Sequence, residues 1–164
     1  MKRTVKSILI AVGCVSALSV CAGVAFFVRH HESRAASAQA AAAEFQALRG
    51  RFAGQQPLLD MDYRQVREAE SAAIAQPLHA FHTVIFDTRG GERLVHITAP
   101  YWLARAFARH DGEFRWLGEL TFFDDTEFDP ESIHLSLQQV ERHGPGLVVD
   151  YRHPNGAQFI TWVD

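Results

Sequence analysis

The sequence predicts an α+β protein: one N-terminal transmembrane helix followed by a small domain of β-hairpins and short helices. Three observations carry that prediction. Residues 7–28 run 22 positions without a charge. Two stretches of alternating apolar and polar residues flank Gly90-Gly91 and Asn155-Gly156, pairs that accept the positive φ of tight hairpins. Between them, helix-like segments carry their own start and stop residues, such as Ser136 with Gln139 and then Gly144-Pro145-Gly146. Composition agrees, because 164 residues with 48% hydrophobic character, 12 Phe, 3 Trp and 3 Tyr can bury the core of one ordinary domain. A disordered acidic or proline-rich chain holds too little apolar area to match it.

Ser7 to Val28 forms about 33 Å of helix, against a hydrocarbon layer of about 30 Å. Lys2, Arg3 and Lys6 precede it, so the heavier fixed positive charge lies on the N-terminal side and residues 1–6 are expected as a cytoplasmic tip. Residues 7–28 then contact the lipid bilayer, and the remainder lies in the periplasm of a bacterial inner-membrane protein. The alternative is a cleaved signal peptide, with Val20-Cys21-Ala22 as a small-residue cleavage site, and a secreted domain. Cys14 and Cys21 are the two cysteines, and both fall in this run. Residues 33–164 therefore hold no thiol, and with it no disulfide, Cys ligand or Cys nucleophile. That part carries 12 Arg, no Lys and 18 acids, a formal charge of −6. Such a balance excludes a strongly basic nucleic-acid binder and disfavours a domain lying flat on anionic lipid.

Residues 29–53 are expected as an Ala-rich juxtamembrane helix that docks its end on the domain at 54–164. Within it SRAASAQAAAAEFQALRGRF, residues 33–52, is rich in the strongest helix former, and Phe45, Leu48 and Phe52 share a stripe. Gly54 and Pro57 end it. Tyr63 to Ala75 suits a helix with Val66, Ala69, Ala73 and Ile74 inward. From Phe81 to Ala99 the period becomes two. A turn centred on Gly90-Gly91 puts Val84 and Phe86 on one face with Val95 and Ile97, and Thr83, Ile85 and Asp87 on the other with Leu94, His96 and Thr98.

Pro100 opens a helix from Tyr101 to Arg109, with Arg105 and Arg109 marking its wet side. Phe114, Trp116, Leu120, Phe122 and Phe123 suggest another strand, and an acidic loop of Asp124, Asp125, Glu127, Asp129 and Glu131 follows. Ile133, Leu135 and Leu137 alternate as a short strand. Ser136 and Gln139 form a capping box for a helix to His143, and 147–151 with 158–162 close the domain as a hairpin over Asn155-Gly156.

Candidate chemistry is sparse. His79, His82 and His96 lie on or beside the first hairpin, yet on that register His82 and His96 face opposite sides and cannot converge on one metal ion. Asp125, Glu127 and Asp129 space like calcium ligands but lack the glycine of an EF-hand loop, with Pro130 inside the run. No metal and no cofactor are expected, and these residues remain weak ligand candidates. The serines at 71, 132 and 136 lack a nucleophile-elbow setting, although a Ser-His-Asp site is defined by geometry and not by order. Tyr101, Trp102, Arg105 and Trp116 form a candidate partner-binding group, since Trp, Tyr and Arg dominate interface hot spots. The bland reading makes the aromatic residues core, and burial of both Tyr101 and Trp102 separates the two.

The stretches FAGQQPLL (52–59), PYWL (100–103) and ERHGPGL (141–147), with the terminal Thr161-Trp162, resemble an uncharacterised family of bacterial single-pass membrane-anchored proteins, over most of residues 50–164. The resemblance implies a location in the bacterial envelope and brings no activity, substrate or catalytic residue. The function expected from the sequence is a membrane-tethered extracytoplasmic binding or accessory module acting on another envelope protein, with no catalytic activity identified. The runner-up is a membrane-anchored hydrolase or metal-dependent enzyme.

Overall fold

A computed structural model describes residues 30–60, 65–66, 76–88, 91–107 and 135–164. The expected transmembrane helix at 7–28, the strand through Phe114–Phe123 and the acidic loop at 124–131 lie outside the described residues. Among the described residues no helix is long and apolar enough to cross a membrane. Residues Ser33–Asp164 form one compact unit. The described elements are β1 (His31–Ala35), α1 (Ala38–Arg51), β2 (Leu59–Asp60), β3 (Gln65–Val66), β4 (Ala80–Asp87), β5 (Arg93–Pro100), α2 (Tyr101–Phe107), α3 (Leu137–His143), β6 (Gly146–Arg152) and β7 (Gln158–Val163). Five strands make one sheet in the order β1-β5-β4-β7-β6, so two hairpins stand side by side with β4 and β7 joined at the centre. The α+β class is observed.

The first hairpin forms where expected, but its register differs by one residue. Val84 pairs with His96 and Phe86 with Leu94, so Leu94, His96 and Thr98 share a face with His82, Val84 and Phe86. The cause lies in the connection. Strands that close at Asp87 opposite Arg93 leave the five residues 88–92 between them, and Gly91 at φ 100° and Glu92 at φ 55° take left-handed backbone. An odd loop centres the hairpin on one residue instead of between two, and a shift of one flips every side chain of β5.

The second hairpin agrees with expectation. Gly156 has φ 94°, the His153 N–H donates to the Ala157 carbonyl at 2.8 Å, and the Ala157 N–H donates to Asn155 Oδ1 at 2.9 Å. That is the side-chain mimicry of a turn for which Asn is favoured. A β-bulge interrupts β6 between Leu147 and Val149. It lets Leu147 face one side beside Trp162 while Val148 and Val149 both join the core on the other, and it returns Asp150 to Leu147's side. The helix before this hairpin has the expected capping box: Gln139 N–H donates to Ser136 Oγ at 3.2 Å and Ser136 N–H to Gln139 Oε1 at 2.8 Å. Leu137 is thus the first helical residue instead of the last of a strand.

Three expectations upstream change. The Ala-rich helix runs from Ala38 to Arg51, not over 29–53, behind an N-cap at Ser37, whose Oγ accepts from the Ala40 N–H at 3.3 Å. Ahead of it, β1 adds to the free edge of β5, a gain in backbone pairing that outweighs local helix propensity. Nor does the helix dock only by its end. Ala41 and Phe45 are fully buried against Val84, Phe86, Leu94, Leu147, Ile160 and Trp162, with Leu48 and Phe52 packed beside them, so α1 is one layer of the unit. Finally, Gln65–Val66 pairs antiparallel with Leu59–Asp60 instead of lying inside a helix from Tyr63 to Ala75. The other sheet face is covered by α2 and α3 over Phe81, Ile85, Ile97, Val149, Phe159 and Val163.

Candidate functional site

Two polar clusters have geometry worth following. The first lies on α2, which leaves β5 directly and begins with the Tyr101 N–H donating to the His79 carbonyl at 2.7 Å. Adjacent helical residues point about 100° apart, so one of Tyr101 and Trp102 must turn outward. Tyr101 turns in. It stacks on Phe81 with centroids 5.6 Å apart, and its O–H donates to Glu141 Oε1 of α3 at 3.1 Å. Burial, then the negative charge and hydrogen bond of Glu141, push its phenol well above the ordinary tyrosine range. Trp102 turns out and is 64% exposed, the one large hydrophobic side chain so exposed among the described residues. Arg105 stands beside it with Nε 3.7 Å from Glu141 Oε1. Of the four residues proposed for partner binding, Trp102 and Arg105 are therefore at the surface, Tyr101 supports them from below, and Trp116 lies outside the described residues.

The second cluster comes from the corrected register. His82 and His96 share the α1 face of the sheet, but each meets its own carboxylate. His96 Nε2 lies 2.7 Å from Glu44 Oε1 of α1, and the other oxygen of Glu44 accepts from Arg34 of β1. His82 Nε2 lies 3.0 Å from Asp164 Oδ2, and its Nδ1 lies 3.2 Å from Thr98 Oγ1. Asp164 is itself held, because Oδ1 accepts from the Ala80 N–H at 3.1 Å. The imidazole plane is fixed by Trp162, stacked at 5.0 Å and 12°, over which the Arg51 guanidinium lies at 5.5 Å. His79 contributes its backbone, donating to the Asp164 carbonyl. No group of three or more His, Cys, Asp or Glu able to hold a metal ion occurs among the described residues. Asp125, Glu127 and Asp129 lie outside them.

Sequence reasoning missed three features. Thr98 and Asp164 were invisible as partners of His82 because the pairing required both the true register and the return of β7 to β4. Arg49 clamps Asp150 with both Nε and Nη2, at 2.8 and 2.7 Å, and donates from Nη1 to Gln158 at 3.1 Å. Only the bulge at Val148 brings Asp150 to that side. His143 ends α3 with a buried Nε2 that has no hydrogen-bond partner, close enough to Gly146 that a Cβ there would lie 3.2 Å away. Burial lowers the pKa of this imidazole, opposed by a hydrogen bond with the Leu147 backbone. No protein-family model, curated protein or solved structure matches the chain.

Proposed function

We propose that the protein is a membrane-tethered binding or accessory module of the bacterial envelope, with its domain in the periplasm and another envelope protein as its partner. The observation that carries the binding reading is Trp102. An indole 64% exposed is costly to leave in water, and here it stands on a helix fixed by buried Tyr101, beside the exposed guanidinium of Arg105, which Glu141 holds at 3.7 Å. A rigid aromatic anchor with an arginine neighbour loses little side-chain freedom when a partner covers it. The tether rests on the uncharged run at 7–28 and on the basic residues before it.

Both halves are testable in cells. Alkaline phosphatase fused after Asp164 of the full chain is expected to be active, and an inactive fusion would overturn the topology. A photo-crosslinking amino acid at position 102 is expected to join a discrete envelope protein. The same probe at exposed Arg152, on β6, should not. Equal adducts at both positions, or none at 102, would remove Trp102 as an anchor.

A further inference from the structure

The hydrogen-bond polarity of the second cluster is fixed by chemistry. The Asp164 carboxylate can only accept, so His82 Nε2 carries the proton of a neutral imidazole; Nδ1 is then an acceptor, and the Thr98 O–H donates to it. Hydroxyl to imidazole to carboxylate is the order in which a hydroxyl can pass its proton to a base held in the right tautomer. Thr98 and His82 are half-buried while Asp164 is exposed, so the chain of bonds reaches solvent. The trio is drawn from β4, β5 and the residue after β7, and Trp162 stacking and the Ala80 N–H fix its imidazole and carboxylate.

We propose that Thr98, activated by His82 and with Asp164 as positioning residue, is a nucleophilic site for small activated esters, giving the module an acyl-transfer activity. The Thr98 oxygen attacks the ester carbonyl while its proton passes to His82 Nδ1. The leaving alkoxide takes that proton and departs as an alcohol. Water, deprotonated by the same nitrogen, then releases the carboxylic acid and restores Thr98. A positioned general base contributes about 10²–10⁴-fold, enough for an ester with a good leaving group and less than an amide requires. The branched Cβ of Thr98 and its half-buried setting favour small acyl groups.

The test uses the full chain in nanodiscs with p-nitrophenyl acetate, reading p-nitrophenol release and the site of acetylation by mass spectrometry. The expected result is an acetyl group on Thr98 and a rate at least about 100-fold above that of Thr98→Val, which replaces the hydroxyl by a methyl of the same shape. Thr98→Ser should keep the activity, so a folding failure of the valine variant would not shelter the proposal. In Asp164→Asn only one oxygen remains to serve both the Ala80 N–H and His82, and an amide facing Nε2 would drive the proton to Nδ1. Its rate should fall to the Thr98→Val level with an unchanged melting temperature. In that variant mass spectrometry should find no acetyl group on Thr98. Acetylation of His82 alone, full activity in Thr98→Val, or an unaltered rate and Thr98 acetylation in Asp164→Asn would each overturn it.

Discussion

The two faces of the sheet are built on different terms. Against α2 and α3 the sheet presents Phe81, Ile85, Ile97, Ala99, Val149, Phe159 and Val163, and a buried polar pair within that layer, Thr83 and Thr161, satisfies itself across strands at 3.1 Å. Against α1 it presents apolar residues at the centre and polar ones around them: His82 and Thr98 with Asp164, His96 with Glu44, and Gln158 and Asp150 with Arg49. Burial is non-directional, so the first face needs only volume. The second needs each partner in place, because a half-buried polar group without one costs more than it contributes. A face held by specific pairs is where chemistry can reside, and the same pairs fix α1 in one orientation on the sheet.

That difference predicts unequal mutational costs. The largest belongs to the apolar face: Phe159→Ala empties a site 1% exposed and is expected to cost about 3–5 kcal/mol by urea unfolding. A cost below about 1 kcal/mol would mean that this core is loosely packed and that the contrast between faces is wrong.

On the α1 face the equivalent test is directional. Arg49 and Asp150 are each about a quarter exposed, and Arg49→Leu strands a carboxylate that had accepted a two-pronged donor. It is expected to cost about 1–3 kcal/mol. Pairing it with Asp150→Leu should recover part of that loss, since replacing both members of a shielded ion pair by apolar groups is far cheaper than removing one. Strictly additive losses in the double-mutant cycle would show that the two side chains do not sense each other.

How much of this was legible follows from where the signals reside. The capping box at Ser136 and Gln139 and the Asn155-Gly156 turn are local chemistry, readable within four residues of sequence, and both stand in the structure. The first hairpin was legible as a hairpin but not in register. Paired glycines permit a left-handed turn without fixing how many residues it uses, and here Glu92 adopts φ 55° as well. That one-residue slip concealed the placement of His82, His96 and Thr98 on a common face. The bulge at Val148, the addition of β1 to β5 and the Arg49 clamp are tertiary choices with no local signature. Trp102 was singled out for its type, but only the orientation of α2 showed that it faces out while Tyr101 faces in.

The smallest expected effect concerns the imidazoles and sharpens the comparison most. His82 and His96 sit beside carboxylates on the α1 face, whereas His143, at the end of α3, is buried and has the Leu147 backbone as a hydrogen-bond partner. Burial lowers its pKa in the folded state. The unfolded chain therefore binds the proton more readily, so the stabilisation from keeping His143 neutral is complete at high pH. It is lost as pH falls below the ordinary value of about 6.5. Urea midpoints at pH 7.5, 6.5 and 5.5 should fall more steeply for the wild type than for His143→Gln, which cannot titrate. Parallel slopes would place the acid sensitivity elsewhere. A shallower wild-type slope would mean that the site welcomes the charge, and the burial of His143 would then carry no energetic weight.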